Sequence, residues 1–155
     1  MNLSLELGED LTGLQQLQAM LESGRAPGIA QSLDFTLTEV ELGRAVFEGV
    51  PGPHAYNPIG TVHGGYAATL LDSACGCAVH TKLPVGVGYT SLDLSVKFLR
   101  PVTVATGPIT AEGNVVHFGR RTALAEARIT DESGKVYVTA TSSCLLIRPD
   151  QPQAG

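Results

Sequence analysis

Across residues 49–81 the chain carries one formally charged side chain, Asp72, in an otherwise apolar run that predicts a buried helix. A lone carboxylate on such a helix is costly unless it is paired, protonated or used in catalysis. The loop 57–65 introduces the helix and ends in Gly64 and Gly65. Backbone N–H groups at a helix start attract a negatively charged oxygen. Carboxylate and amide donors together indicate acyl transfer or hydrolysis, and an idle, solvated Asp72 on a helix edge is the alternative.

Length and composition narrow the classes of function. A chain of 155 residues fits one domain with a core large enough for stability. Apolar residues make up 43% and charged residues 16%, which favours additional surface buried against another subunit. The net charge of −5 and the lack of a basic cluster argue against nucleic acid and membrane surfaces as partners. No stretch predicts a transmembrane helix or a secretion signal. We expect a cytoplasmic protein, because cysteines stay reduced there.

The three cysteines are Cys75, Cys77 and Cys144, and their odd number and spacing do not fit a zinc site. Cys75 and Cys77 are two residues apart on the predicted helix and therefore point in different directions. We interpret them as reduced thiols in a cytosolic core. Cys75 or Cys77 as a nucleophile, with His80 nearby in the sequence, is the alternative.

The remaining segments predict elements that would position this site. Leucines at helical spacing predict an amphipathic helix over residues 9–23, with Asp10 as its N-cap and Ser23-Gly24 as its stop. Alternation over residues 29–50 predicts a β-hairpin that turns at Leu42-Gly43. The central helix is expected at about residues 64–81. Four strands follow, with alternating apolar residues and turn signals between them: 91–98, 109–116, 122–130 and 136–147.

This order of elements predicts the fold class α+β. One long helix can cover a sheet of about six antiparallel strands only if the sheet curls around it, which is the hotdog fold. We divide the chain into an N-terminal amphipathic helix and linker (1–28), a hotdog domain (29–148) and a disordered tail (149–155).

The sequence from Asn57 to Gly65, Asn-Pro-Ile-Gly-Thr-Val-His-Gly-Gly, is followed by Leu-Leu-Asp-Ser-Ala at 70–74. Together they closely resemble hotdog-fold acyl-CoA thioesterases of the phenylacetate-degradation (PaaI-like) type. The segment 92–101 and Gly-Arg-Arg at 119–121 also resemble strands of that family. The similarity runs from about residue 35 to 147 and implies a thioesterase that cleaves an acyl-CoA to free acid and CoA.

The resemblance also implies roles for particular residues. The Gly64 N–H would polarise the thioester carbonyl, His63 would orient Asn57, and Asn57 would help place the thioester or the attacking water. Asp72 would be the general base or the nucleophile. A hydroxyl on the following strand would assist Asp72; Ser91 matches best.

Four further positions are implied as substrate-binding residues: Gly65, Thr90, Arg120 and Arg121. Thr90 is also the alternative to Ser91, and the two arginines fall where coenzyme A phosphates often lie. The resemblance implies no cofactor, because coenzyme A belongs to the substrate, and no metal.

Gly64 and Asp72 cannot act on one thioester within one chain. Asp72 lies eight residues further along the helix, which corresponds to roughly 12 Å, whereas general-base contact requires about 3 Å. Two helices packed antiparallel about a two-fold axis would bring the Asp72 of each to the glycine turn of the other. We therefore expect a homodimer with shared active sites, and the resemblance implies a homotetramer of dimers.

Two other functions are compatible with these residues. One is a non-catalytic acyl-CoA-binding hotdog module that uses the same groove. The other is a hotdog dehydratase or isomerase, which would need a histidine that reaches the substrate carbons. The acyl group is not determined by the sequence, and aryl-acetyl, benzoyl and medium-chain groups all fit.

Overall fold

Three short helices come first in the computed structural model, which describes residues 2–149. They are α1 (Leu3–Leu7), α2 (Gly13–Ser23) and α3 (Gly28–Leu33). A hairpin of β1 (Phe35–Glu41) and β2 (Arg44–Gly49) leads to the long helix α4 (Gly64–His80). Four strands complete the chain: β3 (Gly88–Phe98), β4 (Ile109–Phe118), β5 (Thr122–Asp131) and β6 (Val136–Ile147).

The strands form one antiparallel six-stranded sheet in the order β1-β2-β4-β5-β6-β3. Helix α4 contacts all six strands, so the sheet curves around it. The predicted hotdog fold is therefore confirmed, including the central helix and a short N-terminal helix. None of the helices within residues 2–149 is long and apolar enough to cross a membrane.

Small residues let α4 approach the sheet closely. A Cβ on Gly113 of β4 would lie 2.2 Å from the backbone oxygen of Ala74, so only glycine permits this contact. A Cβ on Gly76 would similarly lie 2.9 Å from the Tyr89 hydroxyl. The close packing expected at Gly76 is thus present, and it offsets the helix-propensity cost of a glycine.

The N-terminal segment differs from the sequence prediction in two places. Helix α2 is capped by Thr12 rather than Asp10, because Thr12 Oγ1 accepts from the Gln15 N–H and Gln15 Oε1 accepts from the Thr12 N–H. The stop at Gly24 is confirmed by its left-handed backbone, with φ 65°. Residues 29–33 form α3 instead of a strand.

The apolar residues of α3 also fit alternation, which is why the sequence pattern predicts a strand here. Pro27 precedes the helix and Asp34 ends it in the left-handed conformation, with φ 56°. Ala30 of α3 is buried in the same core cluster as Leu17 of α2 and the residues of α4. The hairpin turn at Gly43 is present. Of the predicted tail 149–155, only Pro149 lies inside the described residues.

Strand β3 lies at the edge of the sheet and pairs with β6 on one side only. The sequence predicts a regular half-buried strand here, and two features differ. Leu92 and Phe98 are each 58% exposed, and the register shifts between Ser91 and Asp93. Of the four apolar residues that alternate along the predicted strand, Leu94 and Val96 are partly buried against the core.

Candidate active site

The first residue of α4 presents an unoccupied backbone donor. His63 is the N-cap, and its Nδ1 accepts from the Gly65 N–H at 2.8 Å. The His63 N–H donates to the Ala55 backbone oxygen at 2.7 Å. Between these two amides, the Gly64 N–H has no acceptor among residues 2–149, as expected for a first-turn amide.

Gly64, which carries this free amide, lines a cavity of about 320 Å³. Asn57 and Arg100 contribute polar groups to the wall. The Phe98 ring lies next to Gly64, since a Cβ at position 64 would be 3.0 Å from Phe98 Cζ. The rest of the lining is mainly apolar and includes Ala67, Leu99, Pro101, Val102 and Val138. The cavity therefore combines an oxyanion donor with a surface suited to an apolar group.

Asn57 shapes the loop before the helix. Its Oδ1 accepts from the N–H groups of Ile59 and Thr61 at 3.1 and 3.2 Å, and its Nδ2 donates to Thr61 Oγ1 at 2.9 Å. The described part of the chain shows no hydrogen bond between His63 and Asn57. In place of the predicted contact, the His63 side chain caps the adjacent helix, where its Nδ1 accepts from the Gly65 N–H.

The same bond changes the expectation for Gly65. Its N–H is already taken by His63 Nδ1, so it is not available to a substrate carbonyl as Gly64 is. A Cβ on Gly65 would lie 2.9 Å from that Nδ1, so the glycine leaves room for the cap.

Asp72 lies on the one face of α4 that the sheet does not cover. Most of α4 is buried, as predicted, but Asp72 itself is exposed in the single chain. Its Oδ1 accepts a hydrogen bond from Ser91 Oγ at 3.0 Å. The carboxylate is therefore paired with a hydroxyl of β3 rather than buried in its own subunit.

Asp72 and Gly64 line separate cavities. Asp72 belongs to an open groove of about 550 Å³ that shares no lining residue with the Gly64 cavity. The groove is also lined by residues of α3, α4 and β3: Ile29, Ala68, Thr69, Ser73, Ser91, Leu92, Asp93 and Leu94. One chain thus holds the donor and the carboxylate at different places, consistent with the helical distance of roughly 12 Å.

The structure distinguishes between the two hydroxyls that the sequence left open. Ser91 is the cross-strand partner of the buried Cys144, so its side chain lies on the inner face of the sheet. Thr90, one residue earlier, lies on the other face, where it pairs with Leu145. Ser91 contacts Asp72, and Thr90 does not line either cavity.

Arg120 and Arg121 are exposed in the turn between β4 and β5. This turn lies at the C-terminal end of α4, where Lys82 Nζ is 5.8 Å from the centre of the Phe118 ring. Neither arginine lines the Gly64 cavity or the Asp72 groove of the same chain. The cation at the Gly64 cavity is Arg100, which sequence reasoning missed, although its place directly before Pro101 at a strand end was visible.

The cysteines and His80 are poorly suited to catalysis. Burial, and then the negative charge of Asp72, raises the pKa of both Cys75 and Cys77 to about 12, so these thiols stay protonated. Burial lowers the pKa of His80 to about 4. Its Nε2 lies 2.9 Å from Gln16 Oε1, which ties α4 to α2. No cluster of three or more metal-ligating side chains occurs within residues 2–149.

Residues 59–138 match the sequence profile of the Thioesterase superfamily. A Halobacterium salinarum protein provisionally named an esterase is 43% identical over 72 residues, 45% of this chain and 46% of that protein, so the chain spans about half of that relative. A provisionally named esterase of Saccharolobus solfataricus is 30% identical over 125 residues, 80% of this chain and 86% of that protein. The 1,4-dihydroxy-2-naphthoyl-CoA hydrolase of Listeria monocytogenes is 25% identical over 109 residues, 70% of this chain and 87% of that protein.

Solved structures agree with these matches. The phenylacetic acid degradation protein PaaI from Thermus thermophilus, solved as a mutant, is 26% identical, covers 77% of this chain and 98% of its own, and has a TM-score of 0.70. PaaI from the phenylacetic acid degradation operon of Escherichia coli is 22% identical and covers 94% of this chain and 96% of its own. Its TM-score of 0.74 shows the shared fold.

Proposed function

We propose that this chain, which belongs to the thioesterase superfamily and is of the PaaI-like hotdog type, is a thioester hydrolase that cleaves an acyl-coenzyme A to the free acid and coenzyme A. The resemblance inferred from the loop 57–65 is thereby confirmed at the level of the family. Its relatives include a naphthoyl-CoA hydrolase and proteins of phenylacetic acid degradation. Aryl and arylacetyl thioesters are therefore the first acyl groups to test.

One observation carries the proposal. The Gly64 N–H is free at the start of α4, between neighbours whose amides are taken, and Gly64 lines a largely apolar cavity. An amide in this position donates to the thioester carbonyl and stabilises the oxyanion that forms when the carbonyl carbon is attacked. The positive end of the α4 dipole adds to this stabilisation.

We assign the proton-accepting or attacking group to Asp72 of a second copy of the chain. Asp72 is exposed, has Ser91 as its hydrogen-bond partner, and lies in a groove separate from the Gly64 cavity. Antiparallel packing of two α4 helices would place each Asp72 near the Gly64 of the other copy. The dimer is then the smallest active unit, and a tetramer of two such dimers is the assembly that the family resemblance implies.

In the general-base form of the mechanism, Asp72 of one chain takes a proton from water. The resulting hydroxide attacks the carbonyl carbon, and the carbonyl oxygen becomes an anion held by the Gly64 N–H of the other chain. The oxyanion collapses, the carbon–sulfur bond breaks, and the thiolate leaves and takes up the proton from Asp72. In the nucleophilic form, Asp72 attacks the carbonyl carbon, the carbon–sulfur bond breaks and the thiolate leaves a mixed anhydride; water then hydrolyses the anhydride, which regenerates the Asp72 carboxylate and supplies the proton for the thiolate.

Asn57 lines the Gly64 cavity and is proposed to help place the thioester or the attacking water. Arg120 and Arg121 are candidates for contacts with the coenzyme A phosphates, from the exposed β4–β5 turn. Each chemical step uses groups of the chain and water, so the proposal includes no cofactor. We also propose that the protein is cytoplasmic, because acyl-CoA occurs in the cytoplasm and thiols stay reduced there.

The test is a thiol-release screen with a panel of aromatic and aliphatic acyl-CoAs, applied to the wild type and to Asp72→Asn. We expect release from at least one class of substrate and a fall in kcat of about 10²- to 10⁴-fold in Asp72→Asn, as for loss of a general base. Substrate binding should persist. Asp10→Asn, an exposed carboxylate in the N-terminal segment, is the matched control and should leave kcat unchanged.

Near-normal hydrolysis by Asp72→Asn would rule out its assigned role. Binding of acyl-CoA without thiol release across the whole panel would contradict the proposed reaction. With a 3-hydroxyacyl-CoA, a change in enoyl absorbance without free thiol would indicate dehydration instead.

A further inference from the structure

Strand β3 contains a β-bulge next to Ser91. Ser91 pairs with Cys144 and Asp93 pairs with Ser143, so Leu92 has no partner on β6. A bulge of this kind adds one residue to one strand and shifts the side-chain alternation beyond it.

The bulge decides which face Ser91 occupies. Directly opposed residues of an antiparallel pair have their side chains on the same face. Ser91 opposes Cys144 and Leu94 opposes Ser142, and these two β6 residues are both buried on the inner face. Ser91 and Leu94 are three residues apart, so a regular strand would place them on opposite faces. Without the bulge, the Ser91 hydroxyl would point away from α4 and Asp72.

Besides the backbone ladder, two hydrogen bonds that involve a side chain link the strands at the bulge, and both involve Asp93. Its carboxylate oxygen Oδ1 accepts from the Ser143 backbone N–H at 2.8 Å. Its backbone oxygen accepts from Ser142 Oγ at 2.9 Å. The side chain of Asp93 thus occupies a backbone donor of β6 at the point where the register shifts.

We propose that Asp93 is a positioning residue, whose carboxylate fixes the bulge at Leu92 and thereby holds Ser91 Oγ at Asp72 Oδ1. The inference rests on the proposed role of Asp72 and Ser91. Asp93 contacts neither Asp72 nor Ser91 through a hydrogen bond within the described chain, and its carboxylate is engaged with Ser143. It acts on the reaction through the geometry of β3.

The experiment is a double-mutant cycle measured as kcat and KM for thiol release. Ser91→Ala removes the hydroxyl and should lower kcat by about 10- to 100-fold, the range for a hydrogen bond to a charged group. Asp93→Ala should lower kcat by a similar factor and leave KM nearly unchanged. In the Ser91→Ala background, Asp93→Ala should have little further effect, because there is no hydroxyl left to position.

Two variants separate positioning from a general loss of structure. Asp93→Asn keeps an oxygen that accepts from the Ser143 N–H, so it should restore most of kcat. Asp131 is a matched control, since its Oδ1 accepts from the backbone N–H groups of Ser133 and Lys135 in the β5–β6 turn. Asp131→Ala should reduce stability without lowering kcat. If Asp93→Ala does not fold, Asp93→Val removes the same acceptor with a side chain that favours strands.

The outcomes distinguish this inference from the proposed function. The role of Asp93 would be overturned if Asp93→Ala lowered kcat equally in the wild-type and the Ser91→Ala backgrounds. A kcat of Asp93→Asn as low as that of Asp93→Ala would also overturn it. Wild-type kcat in Asp93→Ala, together with an inactive Asp72→Asn, would also overturn it while leaving the proposed function intact. Near-normal activity of Asp72→Asn would contradict both the role of Asp93 and the proposed role of Asp72.

Discussion

Replacing Gly64 with proline would remove a single amide hydrogen from the proposed oxyanion site. The first position of a helix tolerates proline, since its amide has no intrahelical acceptor. His63, the residue before it, has φ −62° and ψ 136°, the extended conformation that a residue preceding proline adopts. Because the Gly64 N–H has no acceptor within residues 2–149, the substitution breaks no hydrogen bond of the described fold. We expect Gly64→Pro to fold with α4 intact.

The expected kinetic effect is large compared with the expected effect on stability. Loss of one oxyanion-hole donor costs about 10²- to 10³-fold in kcat, or about 3–4 kcal/mol. A Cβ at position 64 also lies 3.0 Å from Phe98 Cζ, so some of the change in rate will come from crowding. Phe98 is 58% exposed and its ring can shift. Gly64→Ala adds the same Cβ but keeps the N–H, and it is therefore the matched control.

The assay follows thiol release with a chromogenic thiol reagent for the wild type, Gly64→Ala and Gly64→Pro, alongside thermal unfolding of each. We expect Gly64→Pro to have a kcat at least about 10²-fold below that of Gly64→Ala, with similar melting temperatures. Equal kcat values in the two folded variants would refute the assignment of the Gly64 N–H as the oxyanion donor.

Mixing two inactive variants tests whether each site is shared between chains. In a heterodimer of Gly64→Pro and Asp72→Asn chains, one site carries both substitutions and the other carries neither. Random exchange makes half of the dimers mixed, each with one intact site, so activity should recover to about a quarter of the wild type. No recovery after subunit exchange, with mixed dimers verified by mass, would place Gly64 and Asp72 of one chain in the same site.

Two further predictions concern stability. Burial lowers the pKa of His80 to about 4 from its ordinary 6.5, so the unfolded chain takes up a proton at this residue at a higher pH than the folded chain does. The free energy of unfolding should fall as pH drops from 6.5 to 4, by on the order of 3 kcal/mol from this group. Urea unfolding measured across this pH range should show a smaller change of the free energy of unfolding with pH in His80→Gln than in the wild type. An unchanged pH dependence would contradict the lowered pKa of His80. The Tyr66 hydroxyl is buried without a hydrogen-bond partner within the described residues, on a side chain that is 4% exposed. Tyr66→Phe should therefore raise the free energy of unfolding by up to about 1–3 kcal/mol, and a loss of stability in urea would show that the hydroxyl is satisfied.

Local patterns in the sequence were sufficient for the central elements. The bounds of α4 follow from the two glycines at its start and the end of its apolar run, and the structure places it at Gly64–His80. The strands β4, β5 and β6 follow from alternation and from the turns between them. The stop of α2 at Gly24 follows from the conformational freedom of glycine. Each of these features depends on residues that are close together in the chain.

Features that depend on distant residues were missed. Residues 29–33 form a helix because Ala30 packs into the core and α3 contacts β1, which outweighs their alternating pattern. Arg100 and Phe98 meet Gly64 at one cavity only after β3 has been placed beside α4. One local contact was also missed: His63 binds Gly65 rather than Asn57, and Asn57 instead bonds to Thr61 within the same loop.

The sequence by itself determined the types and order of the reactive groups: a free amide at a helix start, a carboxylate eight residues later and a hydroxyl on the next strand. It also determined that one chain cannot bring the first two together, because a helix rises by a fixed distance of about 1.5 Å per residue. The tertiary structure alone decided that Ser91 rather than Thr90 reaches Asp72, since the bulge at Leu92 depends on pairing with β6 across fifty residues of chain. Strand pairing sets the direction of a side chain, and a one-residue shift reverses it.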